Sequence, residues 1–206
     1  MTRSLAILGA GGHGQVVADS AADLGWQITF FDDTRTGDIG DWVVGGRSDE
    51  LERQVTQFDG VIVGIGNNRL RLDWSLRLKA AGGNLATIID PSSRVSSRAA
   101  IGPGTFLAAG SIVNIGAVLG QACIINTGAT VDHDCRLNDG VHLSPGAHLS
   151  GMVAVGTRSW LGTACSVRNN LHIGSDVTAG VGSVIVSDIS DGLIVTGVPA
   201  RPLEKS

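Results

Sequence analysis

Residues 119–149 read LGQACIINTGATVDHDCRLNDGVHLSPGAHL, and an aliphatic residue stands at every sixth position of this stretch. The same spacing extends in both directions, from Val95 to Ile185. Fifteen of these sixteen positions are Leu, Ile or Val, and Ala179 is the exception. Neither the two-residue period of a strand nor the 3.6-residue period of a helix stays in phase with such a spacing over so long a segment. The repeat therefore decides the fold of this part of the chain.

A six-residue period predicts a parallel β-helix, in which each hexad is a short strand plus a turn and three hexads form one triangular coil. The aliphatic residue at the head of each hexad points inward and stacks on its equivalent three hexads away. Glycine recurs three places after the head, as at Gly128, Gly140 and Gly146. A tight corner there tolerates little bulk and favours a positive φ. We expect roughly five coils.

The first 90 residues alternate strand and helix patterns instead. Apolar runs predict strands at residues 5–8, 27–31, 60–65 and 85–89, and helices are predicted at residues 15–24 and 69–81. This alternation indicates a small, mostly parallel, Rossmann-like α/β sheet. We expect two domains, residues 1–90 and residues 91–206, and we expect the first domain and the C-terminal tail to cover the open ends of the coil.

The composition disfavours several classes of partner. The 206 residues carry a net charge of −4 with no basic block, which argues against a nucleic-acid partner. No apolar run approaches the roughly 20 residues of a membrane-spanning helix, and no signal peptide is apparent at the start. Aromatic residues make up 4% and Tyr is absent, so a core built on large rings is not expected. The odd, sparse set Cys123, Cys135 and Cys165 is typical of reduced, buried thiols and favours a cytoplasmic protein.

A glycine-rich loop follows the first predicted strand. Gly9, Gly11 and Gly14 satisfy G-x-G-x-x-G between a strand and a helix, where backbone N–H groups suit a phosphate. Asp32 and Asp33 lie about 20 residues into the unit, where an acid meets a ribose hydroxyl. NAD binding is the direct interpretation, but the domain is roughly half of a full dinucleotide fold. We therefore expect a nucleotide or nucleotide-sugar, with a structural glycine turn as the alternative.

The run from Gly64 to Asn68 ends the strand predicted at residues 60–65. Ligands collect at the carboxyl edge of open α/β sheets, so Gly66 and Asn67 are candidate ligand contacts. A turn whose Asn side chains cap the next helix is the alternative, and both can hold.

The segment Asp132-His133-Asp134 carries the strongest chemical signal. These residues come directly after the inward-pointing Val131 and lie beside a corner, so their side chains can point outward from the prism. A neutral imidazole near pH 7 can take a proton from an attacking amine or hydroxyl. An adjacent carboxylate fixes its tautomer and raises its basicity. A surface His beside two acids is also common, so this spacing alone does not establish catalysis.

The other histidines are less specific. His142 follows His133 by one and a half hexads, which places it on a neighbouring face. His148 and His172 are expected to be corner residues without a chemical role.

Together these motifs resemble the bacterial sugar acyltransferases of the hexapeptide-repeat superfamily. This family includes the sialic-acid O-acetyltransferases and the UDP-4-amino-sugar N-acetyltransferases of bacillosamine synthesis. The resemblance spans nearly the whole chain and rests on Gly9–Gly14, Phe31–Asp33, Gly64–Asn68, Val131–Cys135, Leu143–Ala147, Gly180–Val184 and Gly197–Arg201.

The resemblance implies a left-handed β-helix, a homotrimer with one active site at each junction between prisms, and acetyl-CoA as co-substrate without a metal. His133 matches the general base and Asp134 the acid that raises its basicity. The residues matching the acetyl-CoA contacts are His142, Gly151, Thr163, Gly180 and Val181. Those matching the nucleotide-sugar contacts are Gly11, Gly12, His13, Asp32, Asp33 and Gly66.

Two departures from the family pattern stand out. The bacillosamine-type enzymes often have Glu after the catalytic His, and the shorter Asp134 changes the reach to His133. Residues Arg168–Asn170 replace a proline turn, which can alter the rim of the CoA groove.

The expected reaction is direct acetyl transfer to the amino group of a nucleotide-linked 4-amino-dideoxy sugar, without a covalent acyl-enzyme. O-acetylation of a sialic-acid-type sugar is the alternative within the family. A zinc carbonic anhydrase using His142, His148 and His172 fits poorly, because their spacing differs and the glycine-rich domain is unexplained. A non-catalytic nucleotide-sugar-binding module is the remaining hypothesis.

Overall fold

The computed structural model describes residues 3–203. The first part of the chain contains β1 (Arg3–Leu8), α1 (Gly12–Asp23), β2 (Trp26–Phe31), β3 (Asp38–Ile39), β4 (Trp42–Gly46), α2 (Ser48–Gln54), a 3-10 turn (Val55–Gln57), β5 (Gly60–Val63) and α3 (Asn68–Ala80). The five strands form one sheet in the order β3-β4-β2-β1-β5. All pairs are parallel except β3 with β4.

The predicted strands and helices of this part agree with the structure to within a few residues. The sequence prediction missed β3, β4 and α2. The strand β4 is half exposed, and its short apolar run, residues 42–44, ends in two glycines, whereas β5 is buried along its whole length.

The rest of the chain is a three-sided parallel β-helix. The first face consists of β6 (Ile88–Ile89), β9 (Phe106–Leu107), β12 (Ile124–Ile125), β15 (His142–Leu143), β18 (Trp160–Leu161), β21 (Thr178–Ala179), β23 (Ile194–Thr196) and the closing antiparallel β24 (Arg201–Pro202). The second face consists of β7 (Arg94–Val95), β10 (Ile112–Val113), β13 (Thr130–Val131), β16 (His148–Leu149), β19 (Ser166–Val167) and β22 (Val184–Ile185). The third face consists of β8 (Ala100–Ile101), β11 (Val118–Leu119), β14 (Arg136–Leu137), β17 (Ala154–Val155) and β20 (His172–Ile173).

The six-residue repeat produces this geometry as predicted. Each strand pairs with the strand three hexads away, for example Val113 with Val131 and Val131 with Leu149. The head residues from Leu107 onward are buried and form one continuous core inside the prism. Since the repeat supplies one inward aliphatic residue per side of each coil, the prism needs no aromatic ring inside. The predicted fold, a small α/β domain followed by a left-handed parallel β-helix, is confirmed.

The corners of the prism adopt a left-handed backbone conformation at the third position after the head. Gly128, Gly140 and Gly146 have φ of 64°, 69° and 65°, as the glycine spacing predicted. Non-glycine residues occupy equivalent corners with the same conformation, including Asp134 with φ 59° and Ala164 with φ 58°. From Gly104 to Gly182 the coil geometry therefore imposes this conformation on glycine and non-glycine residues alike.

The N-terminal domain packs along the first face. Val17 of α1 shares one buried cluster with Ile88, Phe106 and Ile124, whose side chains point out of the prism. The expectation that this domain covers the open end of the coil is therefore incomplete, because its contacts extend along the side of the prism. At the other end, β24 pairs with β23 and closes the first face.

The strand predicted at residues 85–89 is corrected by the structure. Leu85 makes an isolated bridge to Val61 of the first sheet, whereas Ile88 and Ile89 form the first strand of the β-helix. Ile89 lies one hexad before Val95, so the repeat begins one hexad earlier than the predicted start at Val95. No helix within residues 3–203 is long and apolar enough to cross a membrane.

Candidate active site

The glycine-rich loop connects β1 to α1 and requires glycine at two positions. Gly9 has φ 101°, and a Cβ on Gly14 would overlap the carbonyl oxygen of Gly9. Gly11 and Gly12 face open space, because a Cβ there would have no neighbour within 4 Å. Gly11 is the N-cap of α1 and makes no side-chain cap hydrogen bond. The loop therefore presents backbone N–H groups at an accessible helix N-terminus, which is the arrangement that binds phosphates.

Asp32 holds this loop from the end of β2. Its carboxylate accepts hydrogen bonds from the Ala10 N–H at 2.8 Å and from the Thr34 N–H at 2.8 Å. Partial burial opposes ionisation of Asp32, but these hydrogen bonds prevail and lower its pKa to about 2. Asp33 accepts hydrogen bonds from the backbone N–H and the hydroxyl of Ser48 at the start of α2. Both candidate ribose contacts therefore also stabilise the loops around the edge of the sheet.

The loop before α3 meets the β-helix. Gly66 faces open space, and the Asn67 side chain caps α3 by accepting a hydrogen bond from the Leu70 N–H at 3.0 Å. The Asn68 amide donates to the carbonyl oxygens of Arg158 and Ser159 at 2.8 and 3.2 Å. The capping interpretation of this motif is confirmed for Asn67, while its contact with a ligand stays a prediction.

A cavity of about 390 Å³ lies where this loop faces the first face of the prism. Its lining residues are Gly66, Asn67, Asn68, Arg69, Arg158, Trp160, Asp176 and Thr178. Arg158 donates two hydrogen bonds to the Asp176 carboxylate, at 2.8 and 2.6 Å. The cavity combines a flat aromatic ring with charged groups, which suits a polar ligand such as a nucleotide-linked sugar. Sequence reasoning missed Trp160, because no motif marks an outward strand residue of the repeat.

His133 and Asp134 lie at the corner between the second and third faces. The imidazole Nδ1 of His133 is 2.9 Å from a carboxylate oxygen of Asp134, and the His133 side chain is 46% exposed. This hydrogen bond raises the pKa of His133, and the nearby Asp132 carboxylate adds to the effect. Within residues 3–203 the Nε2 atom makes no hydrogen bond and lies beside Gly151, so the pair has the form of an imidazole base oriented by a carboxylate.

Two further contacts hold the histidine. Asp132 accepts hydrogen bonds from the His133 backbone N–H and from the Asn114 side chain, both at 2.8 Å. Gly151 lies one coil above His133, and a Cβ at that position would overlap the imidazole ring. Gly151 is therefore required for the ring to lie flat against the prism. Asn114 was not predicted as a site residue, although the repeat signals its position, because it lies three hexads before Asp132 and therefore one coil below it.

His142 lies on the first face, as the spacing predicted, and faces the N-terminal domain. Its ring is 9% exposed, 6.3 Å from the ring of His13 between centroids, and its Nε2 is 3.2 Å from the Asn126 amide nitrogen. Burial, with a smaller contribution from the Arg71 charge, lowers the pKa of His13 to about 4 and that of His142 to about 3. Both imidazoles are therefore neutral at pH 7. The pairing of His13 with His142 joins a candidate sugar contact to a candidate acetyl-CoA contact.

The remaining candidate CoA contacts occupy another corner. Thr163 and Val181 stack on successive coils between the first and second faces, where the Gly182 N–H donates to the Thr163 carbonyl oxygen at 2.8 Å. Val181 is 67% exposed beside Gly180. Within one chain these residues are separated from the His133 corner by the full width of the second face.

The other histidines are corrected in position. His148 and His172 are the outward residues of β16 and β20, so they lie on the faces and not at corners. Within residues 3–203, no group of three or more His, Cys, Asp or Glu side chains is arranged to hold a metal ion. The three cysteines are free and buried, as expected.

Comparison with known proteins places these features in context. The family model for the PglD N-terminal domain matches residues 4–78. The UDP-N-acetylbacillosamine N-acetyltransferase of Bacillus subtilis (strain 168) is 37% identical over 113 residues, and this match spans 52% of each chain, about half the length of that relative.

Several solved structures match nearly the whole chain, among them the following two. The acetyltransferase domain of PglB from Neisseria gonorrhoeae, in complex with acetyl coenzyme A, is 44% identical with a TM-score of 0.96, covering 98% of this chain and 100% of that one. A variant of perosamine N-acetyltransferase from Caulobacter crescentus, in complex with CoA and GDP-perosamine, is 35% identical with a TM-score of 0.95, covering 98% and 97%.

Proposed function

Because the chain belongs to the bacterial sugar N-acetyltransferase family that contains these proteins, we propose that it transfers the acetyl group of acetyl-CoA to the amino group of a nucleotide-linked 4-amino-dideoxy sugar for glycan synthesis. The observation that carries the proposal is the exposed His133 imidazole, whose Nδ1 is hydrogen-bonded to Asp134 at 2.9 Å. The substrates named for the relatives are amino sugars, which supports N-acetylation over O-acetylation.

In this proposal His133 is the general base. Its Nδ1–H donates to Asp134, so Nε2 carries the lone pair that removes a proton from the sugar amine as the nitrogen attacks the thioester carbonyl. A C–N bond forms, the C–S bond breaks, and the proton passes from Nε2 to the sulfur so that CoA leaves as a thiol. Holding both substrates in one cleft supplies much of the rate enhancement.

The substrate contacts divide between the two parts of the chain. The glycine-rich loop, with Gly11, Gly12 and His13, would hold the diphosphate, and Asp32 and Asp33 would meet the nucleoside. Gly66 and Asn67 would border the sugar in the cavity beside Trp160. The acetyl-CoA contacts would be His142, Gly151, Thr163, Gly180 and Val181.

A homotrimer completes this site. His133 and the pair Thr163 and Val181 lie at different corners of one prism, so one chain alone cannot close a cleft around CoA and the base. Side-by-side packing of identical prisms would bring the His133 corner of one protomer to the first face of the next. The three buried free thiols favour a reducing compartment, and we place the protein in the cytoplasm.

The test is thiol release from acetyl-CoA in the presence of a panel of UDP-, dTDP- and GDP-linked 4-amino sugars. We expect turnover with at least one sugar and a loss of about 100-fold or more in kcat for His133→Ala. His172→Ala, which removes an exposed histidine of the third face, serves as the control and should retain activity. Absence of turnover with the whole panel would contradict the proposed reaction, and a loss under about ten-fold would remove His133 from the role of base.

A further inference from the structure

Arg71 of α3 is a buried cation at the junction of the two domains. It is 1% exposed, the largest fully buried side chain among the described residues. Its guanidinium makes five hydrogen bonds, all of them to backbone or amide oxygens, and none of the salt bridges within residues 3–203 includes it.

The five hydrogen bonds connect two parts of the site. On the side of the N-terminal domain, Arg71 Nη1 donates to the carbonyl oxygens of Ile65 and Gly66 at 3.1 Å, and Nη2 donates to the Asn68 amide oxygen at 2.9 Å. On the side of the β-helix, Nε donates to the Ala122 carbonyl oxygen and Nη2 to the Gly140 carbonyl oxygen, both at 2.8 Å.

The acceptors on the β-helix have a defined spacing. Ala122 and Gly140 are three hexads apart and therefore stack at the same corner on successive coils. A planar guanidinium with five fixed donors can meet two stacked carbonyls on one side and a loop on the other, which a single ammonium group cannot do. Burying a cation without a carboxylate partner is costly, so a position that retains one indicates a specific role.

We propose that Arg71 is a positioning residue for the sugar half of the site: its guanidinium fixes the 65–68 loop against the Ala122–Gly140 corner and thereby sets the width of the cavity between that loop and Trp160. This inference rests on the proposed function, since the cavity is where the nucleotide-linked sugar would lie. Asn68 acts together with Arg71, because it accepts a hydrogen bond from Arg71 and donates to the carbonyl oxygens of Arg158 and Ser159. We call Arg71 and Asn68 the clamp.

The hydrogen bonds of Arg71 act on the sugar half of the site, and Arg71 reaches the acetyl-CoA half only through its charge near His142, which Arg71→Lys retains. The 65–68 loop borders the cavity, whereas Thr163, Gly180 and Val181 lie at a corner that Arg71 does not contact. Loosening the loop should therefore weaken binding of the nucleotide sugar and leave binding of acetyl-CoA unchanged. A purely structural role would instead lower the amount of active enzyme, and with it the apparent kcat, without a selective change in KM for the sugar.

The experiment compares Arg71→Lys and Arg71→Met with Arg77→Lys in the full-length protein. Arg77 lies on the same helix, stacks on Trp74 and pairs with Glu52 away from the cavity. For Arg71→Lys we expect KM for the nucleotide sugar to rise about ten-fold or more while KM for acetyl-CoA stays within about two-fold. Arg71→Met should show a larger rise, and Arg77→Lys should match the wild type.

Hydrogen–deuterium exchange provides a readout that does not require turnover. Peptides covering residues 64–70 should exchange faster in Arg71→Lys than in the wild type, while peptides of the β-helix core should not change. If the wild type acetylates no sugar of the panel, the proposed function fails, and the exchange experiment still decides whether the clamp exists.

A second variant covers the case in which the Arg71 variants do not fold. Asn68→Ala removes the bridge from a partly exposed side chain and should give the same selective rise in KM for the sugar. Folded Arg71→Lys or Asn68→Ala protein with KM for the sugar within two-fold of the wild type would overturn the proposal. Equal changes in KM for the nucleotide sugar and in KM for acetyl-CoA would also overturn the proposal.

Discussion

At the scale of single residues, the backbone conformation of Asp134 explains how a short acid serves His133. The family pattern often has Glu at this position, and one methylene less shortens the reach. Asp134 lies in the left-handed corner conformation, with φ 59°, and its carboxylate still comes to 2.9 Å from the His133 Nδ1. The corner therefore makes a direct hydrogen bond available to aspartate.

This contact predicts the pH dependence of Asp134→Asn. The Asp134 hydrogen bond raises the pKa of His133, so its removal should lower that pKa. The neutral, base-competent imidazole would then persist at lower pH, and the acid limb of the kcat/KM profile should move to lower pH. We also expect kcat to fall about ten-fold, because Asn is a weaker partner for the imidazolium that forms.

The measurement is the pH profile of kcat/KM for acetyl-CoA, obtained from thiol release at varied acetyl-CoA and a fixed, saturating concentration of nucleotide sugar. Asp134→Glu, which restores a carboxylate, should keep the acid limb near its wild-type position. A limb that stays in place or moves to higher pH in Asp134→Asn would show that Asp134 does not set the basicity of His133.

At the scale of elements, the corner between strands determines which residue types the repeat accepts. Glycine adopts the left-handed conformation without a steric penalty, whereas L-residues with a Cβ adopt it at a cost of roughly 1–2 kcal/mol. Ala164 has this conformation, with φ 58°, at an exposed corner. Since glycine also loses about 0.5–1 kcal/mol of chain entropy on folding, the net gain from replacing a corner alanine is small and positive.

We therefore expect Ala164→Gly to raise the free energy of unfolding by about 0.5–1 kcal/mol. Ala154→Gly is the matched control, because Ala154 lies in the strand β17 and should lose about 0.5–1 kcal/mol from the same substitution. Urea unfolding at one fixed protein concentration measures both. Destabilisation by Ala164→Gly would show that the corner conformation costs alanine less than the chain entropy that glycine loses on folding.

At the scale of the whole molecule, exposed aliphatic side chains surround the His133 corner. Ile115 lies one coil below His133 at the same corner and is 48% exposed, and Ile112 and Val118 on the adjoining strands are 37% and 38% exposed. Neighbouring exposed apolar side chains are typical of interaction surfaces. In the proposed homotrimer, a second and third copy of this chain would cover these side chains and complete the cleft beside His133, the proposed base.

Ile115→Glu should therefore dissociate the trimer and abolish thiol release, because it places a charge in the interface. Light scattering after size exclusion should show three times the 21.1 kDa chain mass for the wild type and the mass of one chain for the variant. Leu76→Glu, at a 45% exposed position of α3, should change neither mass nor activity. A monomeric wild type with full activity would contradict the shared-cleft proposal.

The sequence predicted the parts of the fold that depend on regular spacing. The inward position of Val131 or Leu149 follows from the six-residue repeat, and the positive φ of Gly128 follows from its place in that repeat. Local patterns also predicted α1 and α3. The strand β4 escaped prediction although residues 42–44 are apolar, because the run is short, half exposed and followed by two glycines, and its pairing with β2 is what makes it a strand.

The sequence also predicted that the side chains of His133 and Asp134 point outward from the prism, because the two residues lie at a corner. It predicted that they lie close together, because they are adjacent in the chain. It could not predict that His13 meets His142, or that Arg71 reaches Ala122 and Gly140, since the members of each pair lie far apart in the chain. Their meeting depends on how the α/β domain packs against the first face. That packing is decided by the fit of apolar side chains such as Val17 and Phe106, and shape complementarity between two folded surfaces has no period that a sequence displays.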